Sequence, residues 1–123
     1  MRDAFIAGYI AGEGCFSVSD KPNGGKQFQF VVTVAADEVD MLEAMKERFV
    51  VGHINDRAPS GVGKKPVKVY RVGSYRELWF HVVPFIDAVG LGPTHKAEQY
   101  AEWRAELEAY VTSEERRFPV TLD

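Results

Sequence analysis

The sequence predicts an α+β fold in the order αββαββα with a C-terminal helix. Apolar residues recur at helical spacing in some segments and alternate with polar ones in others, and the alternating segments come in pairs joined by turn-forming residues. A third observation is the opening run Phe5 to Phe16, apolar enough for a buried helix yet broken by two alanines and three glycines. With 123 residues, 46% of them hydrophobic, the chain can bury one core but not two, so residues 1–111 are expected to form a single domain and 112–123 a tail.

The first helix is set by that run. Gly8 and Gly12 stand four apart and on a helix clear one face of side chains, with Ala7 and Ala11 beside them, so a second helix can approach at backbone distance. Each interior glycine costs about 1 kcal/mol relative to alanine, a loss that a helix contact must offset. The contacting helix belongs either to a second copy of the chain or to the same chain. Glu13 closes the run at the C-terminal end, where the macrodipole disfavours an anion by roughly 0.3–1 kcal/mol. An acid placed there, beside a bare helix face, suggests a metal site at a helix pair.

The next elements follow from period. Phe16 and Val18 alternate with Ser17 and Ser19, a turn at Lys21-Pro22-Asn23-Gly24-Gly25-Lys26 follows, and Gln27, Gln29, Val31 and Thr33 alternate with Phe28, Phe30, Val32 and Val34. This is a hairpin with one aromatic and aliphatic face and one face mostly of amides and hydroxyls, suited to base edges. Asp37 is expected to cap a helix whose apolar positions are Met41, Leu42, Met45 and Phe49, with Gly52 marking its exit. A second hairpin pairs Val51–Arg57 with Val67–Val72 across the basic loop 58–66. Ser74 with Glu77 forms a capping box for a helix that carries Leu78, Val82, Phe85, Ile86 and Val89 inward and is kinked or split at Pro84. From about Thr94 a last helix places Tyr100, Trp103, Leu107 and Tyr110 or Val111 at packing intervals, with Glu98, Glu102, Glu106 and Glu108 outside.

Net charge is −3, which on its own argues against a polyanionic partner. Distribution reverses that reading. Segments 15–36 and 51–76 hold eight lysines and arginines against two acids, a local balance of +6 against −9 for the rest. A basic sheet beside acidic helices is the segregation expected of a nucleic-acid-reading sheet, the alternative being ordinary solvated charge. The lone Cys15 excludes a disulfide framework and suits a reducing interior. No leader and no long apolar span is present, so the expectation is a soluble intracellular protein of the cytoplasm, nucleoid or an organelle matrix, with no membrane partner.

Ile6 to Gly14 resembles the nonapeptide of the LAGLIDADG homing endonucleases, and Gly14-Cys15-Phe16-Ser17 continues into a first strand in the same way. Val51-Gly52-His53-Ile54-Asn55-Asp56-Arg57, Val83-Pro84-Phe85-Ile86 and Thr94-His95-Lys96-Ala97-Glu98-Gln99-Tyr100 with Trp103 follow in the family's order, so the resemblance covers roughly residues 4 to 111. It implies a saddle-shaped antiparallel sheet laid along double-stranded DNA. One motif per chain implies a homodimer joined through Ala7, Gly8, Ala11 and Gly12 and cutting both strands of a near-palindromic site. It further implies that Glu13 and the Gly12 carbonyl bind Mg²⁺, and that Glu13 and Lys96 are catalytic. The residues expected to contact DNA are Ser17, Ser19, Lys21, Lys26, Gln27, Gln29, Asn55, Arg57, Lys64, Lys65, Lys68 and Tyr70, since amides suit adenine and basic side chains guanine or phosphate.

Three departures stand beside the resemblance. Ala11 occupies a position where the family name carries an acid. Val34 stands where a polar residue often orders water, and Glu38 near a position that is often basic. The last two leave a second reading, a cleavage-dead DNA-binding regulator or an RNA-binding intron maturase of the same fold.

Overall fold

The computed structural model describes residues 2–57, 61, 63 and 65–117. Helix α1 (Asp3–Glu13) runs directly into β1 (Gly14–Asp20), which turns back into β2 (Lys26–Ala35). A 3₁₀ turn (Ala36–Glu38) leads to α2 (Val39–Phe49), then β3 (His53–Arg57) and β4 (Val67–Val72). The chain continues through α3 (Tyr75–Glu77), a π turn (Leu78–Val82) and α4 (Val83–Val89), and ends in α5 (His95–Arg117). The four strands form one antiparallel sheet in the order β1-β2-β4-β3. Among the described residues no helix is long and apolar enough to cross a membrane.

Register sorts the side chains, because successive strand residues point to opposite faces. Phe28, Phe30, Val32 and Val34 of β2 are buried with Tyr70 and Val72 of β4, and the same core takes Ile6 and Ile10 of α1, Leu42 and Phe49 of α2, Leu78 and Ile86, and Trp103 and Leu107 of α5. The helices therefore cover one face of the sheet and leave the other to solvent. Phe16 ties the first strand into this core, stacking on Phe30 at 5.4 Å and packing on Trp103 at 4.9 Å. The Trp103 Nε1–H donates to the Ser17 carbonyl at 3.1 Å, so α5 also satisfies part of the edge of β1.

The turn from helix to strand at Gly14 has a steric cause. A Cβ there would stand 2.6 Å from the Ile10 carbonyl oxygen, so only glycine lets α1 pass straight into β1. Gly52 is equally constrained: φ is +96° and a Cβ would meet the Tyr70 ring at 2.6 Å.

Several elements differ from the sequence reading. Asp37 does not cap α2; it lies inside the 3₁₀ turn, and the helix starts at Val39 with no side-chain cap. The helix ends at Phe49, capped by Val50 in the left-handed conformation that glycine would favour, and Gly52 comes two residues after the cap. β3 begins at His53 rather than Val51, because the Val51 carbonyl accepts the Tyr70 hydroxyl. Ser74 Oγ does accept the Glu77 N–H at 3.5 Å, and the helix that follows is split as expected, α4 starting at Val83 with Pro84 in its first turn. A π turn precedes the proline and absorbs the carbonyl that a proline cannot serve. The extra residue in that turn advances the helical phase, so Val83 becomes buried and Val89 turns outward at 38% exposure. Finally, α5 does not end at Val111 but continues through Arg117.

Candidate functional site

Glu13 is the last residue of α1 and is exposed. The final carbonyls of a helix lack intrahelical donors, so Gly12 and Glu13 offer oxygens at the negative end of the macrodipole. Ala4, Phe5, Gly8 and Gly12 are also exposed, and Phe5 remains 58% accessible. A Cβ at Gly8 or Gly12 would meet nothing within 4 Å, so these glycines do not serve a helix contact within the chain. Of the alanines expected on this face, Ala11 is half-buried, whereas Ala7 is 4% exposed and faces its own core.

Tyr9 connects this end of α1 with the start of α2. Partial burial and the nearby carboxylates of Glu38, Glu13 and Asp37 hold its phenol above the usual pKa. Glu38 therefore lies at the same end of the molecule as Glu13. Val34 does not: it is buried in the core at 4% exposure, and its outward neighbours are Thr33 and Ala35. Among the described residues no group of three His, Cys, Asp or Glu side chains is arranged to hold a metal ion. Lys96 lies half-buried in the first turn of α5, the helix that packs on both β1 and α1. His95 beside it contacts Glu98 at 3.3 Å.

The open face of the sheet is defined by the pairings. Ser19 opposes Gln27 and Ser17 opposes Gln29, as expected from alternation. Cys15, Val31, Arg71 and His53 form one row across all four strands, and Thr33, Val69 and Asn55 form the next. Arg57 opposes Val67 at the end of β3. These outward strand positions carry arginines and no carboxylate, although the chain as a whole is acidic. Gln27 is not wholly free, since its Nε2 donates to the Gly73 and Phe28 carbonyls.

Three expected contact residues are on the wrong face, Lys26 among them: it opposes Asp20, shares the parity of Phe28 and Phe30, and lines a recess with Glu102, Trp103 and Glu106 of α5. Tyr70 is fully buried against Phe49 and Phe30, and burial, with a lesser effect from Glu77, pushes its phenol pKa far up. Lys68 shares that face by register and pairs with Asp56. In the run Val67-Lys68-Val69-Tyr70-Arg71-Val72 either parity looks half apolar, so alternation alone does not decide it. The partner strand does decide it: Ile54 is the single aliphatic residue of β3, it must face the core, and it opposes Tyr70. The outward residues of β4 are thus Val67, Val69 and Arg71, and Arg71 and His53 are positions the sequence reading missed. Lys21 and Lys26 flank the first turn and are exposed, Lys26 within 3.7 Å of Asp20. Lys65 is exposed in the second loop, and Lys64 lies outside the described residues.

Comparison with known proteins bears on this arrangement. The family model described as LAGLIDADG endonuclease matches residues 6–107, from the first helix to the middle of α5. The chain belongs to the LAGLIDADG endonuclease family. Among solved structures, the chain is 28% identical to the I-SmaMI LAGLIDADG homing endonuclease bound to cleaved DNA, with a TM-score of 0.78 over 94% of this chain and 38% of that one. I-SmaMI bound to an uncleaved DNA target in the presence of calcium ions matches at 25% identity and a TM-score of 0.79, over 94% of this chain and 39% of that one. The group I intron-encoded homing endonuclease I-CeuI complexed with DNA shares the fold, with 23% identity, a TM-score of 0.74 and coverage of 89% of this chain and 55% of that one. This LAGLIDADG chain thus spans about two-fifths of the length of I-SmaMI. No curated protein sequence matches it significantly.

Proposed function

We propose that this chain is a site-specific homing DNA endonuclease that acts as a homodimer and hydrolyses both strands of a near-palindromic duplex with Mg²⁺. The carrying observation is Glu13, an exposed acid at the end of a helix whose glycine face meets nothing in its own chain. A second α1 laid against that face brings two Glu13 carboxylates and two helix C-termini together. Four convergent oxygens with negative dipole ends suit a hard divalent cation, whereas one chain alone supplies too few.

Glu13 and the Gly12 carbonyl would hold the ion, which, when bound, polarises a phosphate and makes an attacking water more acidic. Lys96 would place a cation near the scissile phosphate, where it stabilises developing negative charge. The open sheet face would bind the duplex, with Gln29, Gln27 and Asn55 toward adenine and Arg57 and Arg71 toward guanine or phosphate. Within the cell this activity would spread the genetic element that encodes the protein.

The test is a cleavage selection on a randomised DNA library with purified protein and Mg²⁺, run beside Glu13→Gln. Discrete double-strand cuts at a near-palindrome, lost in the variant, are the expected result. Glu38 favours a second reading, because it adds negative charge at the end of the molecule where a phosphate would arrive. DNA bound selectively but never cut with any divalent metal would replace the endonuclease with a binding regulator. Selective binding of intron RNA instead would make the protein a maturase.

A further inference from the structure

The segment of α5 beyond Val111 has no counterpart in the sequence reading, yet it takes part in a cluster that surrounds one loop. Tyr110 packs on Phe28 at 5.3 Å and meets Tyr75 edge-on at 5.4 Å. The guanidinium of Arg76 lies over the Tyr75 ring at 6.0 Å, donates to its hydroxyl and pairs with Glu115 at 2.7 Å. Facing this cluster is the β1–β2 turn: Lys21, Asn23, Gly24 and Gly25 line an open recess of about 400 Å³ together with Tyr75, Tyr110 and Glu114. A Cβ on Gly25 would come 3.5 Å from the Tyr110 hydroxyl. The turn itself is closed by Lys21 N–H to the Gly25 carbonyl at 2.7 Å and Gly24 N–H to the Lys21 carbonyl at 3.0 Å.

We propose that Tyr110 and Tyr75, locked by Arg76 and Glu115, are positioning residues that hold the β1–β2 turn in place and thereby set sequence discrimination at the outer ends of the target. The inference rests on the DNA-endonuclease reading above. β1 has seven residues, and at about 3.4 Å each its far end stands about 24 Å from Glu13, about seven base pairs along a duplex. Lys21 and its neighbours therefore act on outer base pairs, and only if the turn is pre-set. A two-stranded tip gains that rigidity from what packs against it.

The experiment pairs amide hydrogen exchange with the cleavage selection on wild type, Tyr110→Ala, Tyr110→Phe and Glu115→Gln. Tyr110→Ala is expected to lose protection at the Lys21 and Gly24 amides while the β1–β2 ladder stays protected, and to lose about tenfold in discrimination about seven base pairs from the centre with central positions unchanged. Tyr110→Phe, which keeps the ring on Phe28 and Tyr75 but lacks the hydroxyl nearest Gly25, and Glu115→Gln should each give a smaller loss of the same pattern. Should Tyr110→Ala not fold, Glu115→Gln decides the matter by the same two readouts. Unchanged outer discrimination, or a loss spread evenly over all positions, overturns the brace. A wild type that selects no DNA sequence overturns instead the endonuclease reading on which the brace depends.

Discussion

Val50 is a β-branched residue at φ 71° with 74% of its surface exposed, so it pays left-handed strain without a packing return. Val50→Gly is expected to raise stability by about 1 kcal/mol, read as a higher urea midpoint at unchanged slope. Tyr70 makes the opposite case. Its hydroxyl serves the half-buried Val51 carbonyl, so Tyr70→Phe should destabilise by about 1 kcal/mol, whereas a residue that touched DNA would change affinity and leave stability alone. The outward Arg71 should show that second pattern: Arg71→Ala is expected to leave the unfolding midpoint within about 0.5 kcal/mol and to weaken DNA binding with a salt slope lower by about 1. These three residues also mark what was legible. Phe28 to Val34 could be read because every second residue is strongly apolar. β4 could not, because valines occupy both parities and only Ile54 on the neighbouring strand breaks the tie.

At the scale of elements, α1 was the most legible, since its glycines, its length and its terminal acid all point one way. Its two sides can be separated by experiment. Gly8→Ala meets no neighbour in the monomer, so it should stabilise the isolated chain by up to about 1 kcal/mol through helix propensity. The same methyl lies on the face proposed to meet a second helix, so sedimentation of the variant should show weaker dimerisation. α1 is also tied to α2 by Asp3, which accepts from Arg48 Nε at 2.9 Å. That hydrogen bond, with the Arg48 charge, holds the Asp3 carboxyl below its ordinary 3.8. Its stabilisation is therefore complete above pH 3.8 and fades as pH falls through the lowered value. Wild type and Asp3→Asn should differ in melting temperature at neutral pH and converge in acid. α5 was less legible at its end, because Thr112 and Ser113 interrupt the apolar spacing. The helix goes on because Glu115 finds Arg76 on another element, a contact that local pattern does not contain.

For the whole molecule, the division of charge foretold from segments survives in three dimensions with its details moved. Acids crowd the helices, and the outward strand positions hold none, even though Lys26 and Lys68 turned out to belong to the helix side. The Asp87 carboxylate shows how the helix layer keeps its own charges occupied, taking the Tyr100 hydroxyl at 2.7 Å and both Arg104 donors at about 3 Å.

Because each strand alternates, one set of side chains answers to the core and the other to whatever lies on the open face. Exchanges among Ser17, Gln29, Asn55 and Arg71 disturb no buried packing, so most should move stability by no more than about 0.5 kcal/mol. Specificity can then drift while the scaffold stays folded. A lineage built on this plan can acquire new targets by small steps, each tested for recognition alone, and evolvability is in that sense a property of the pleat.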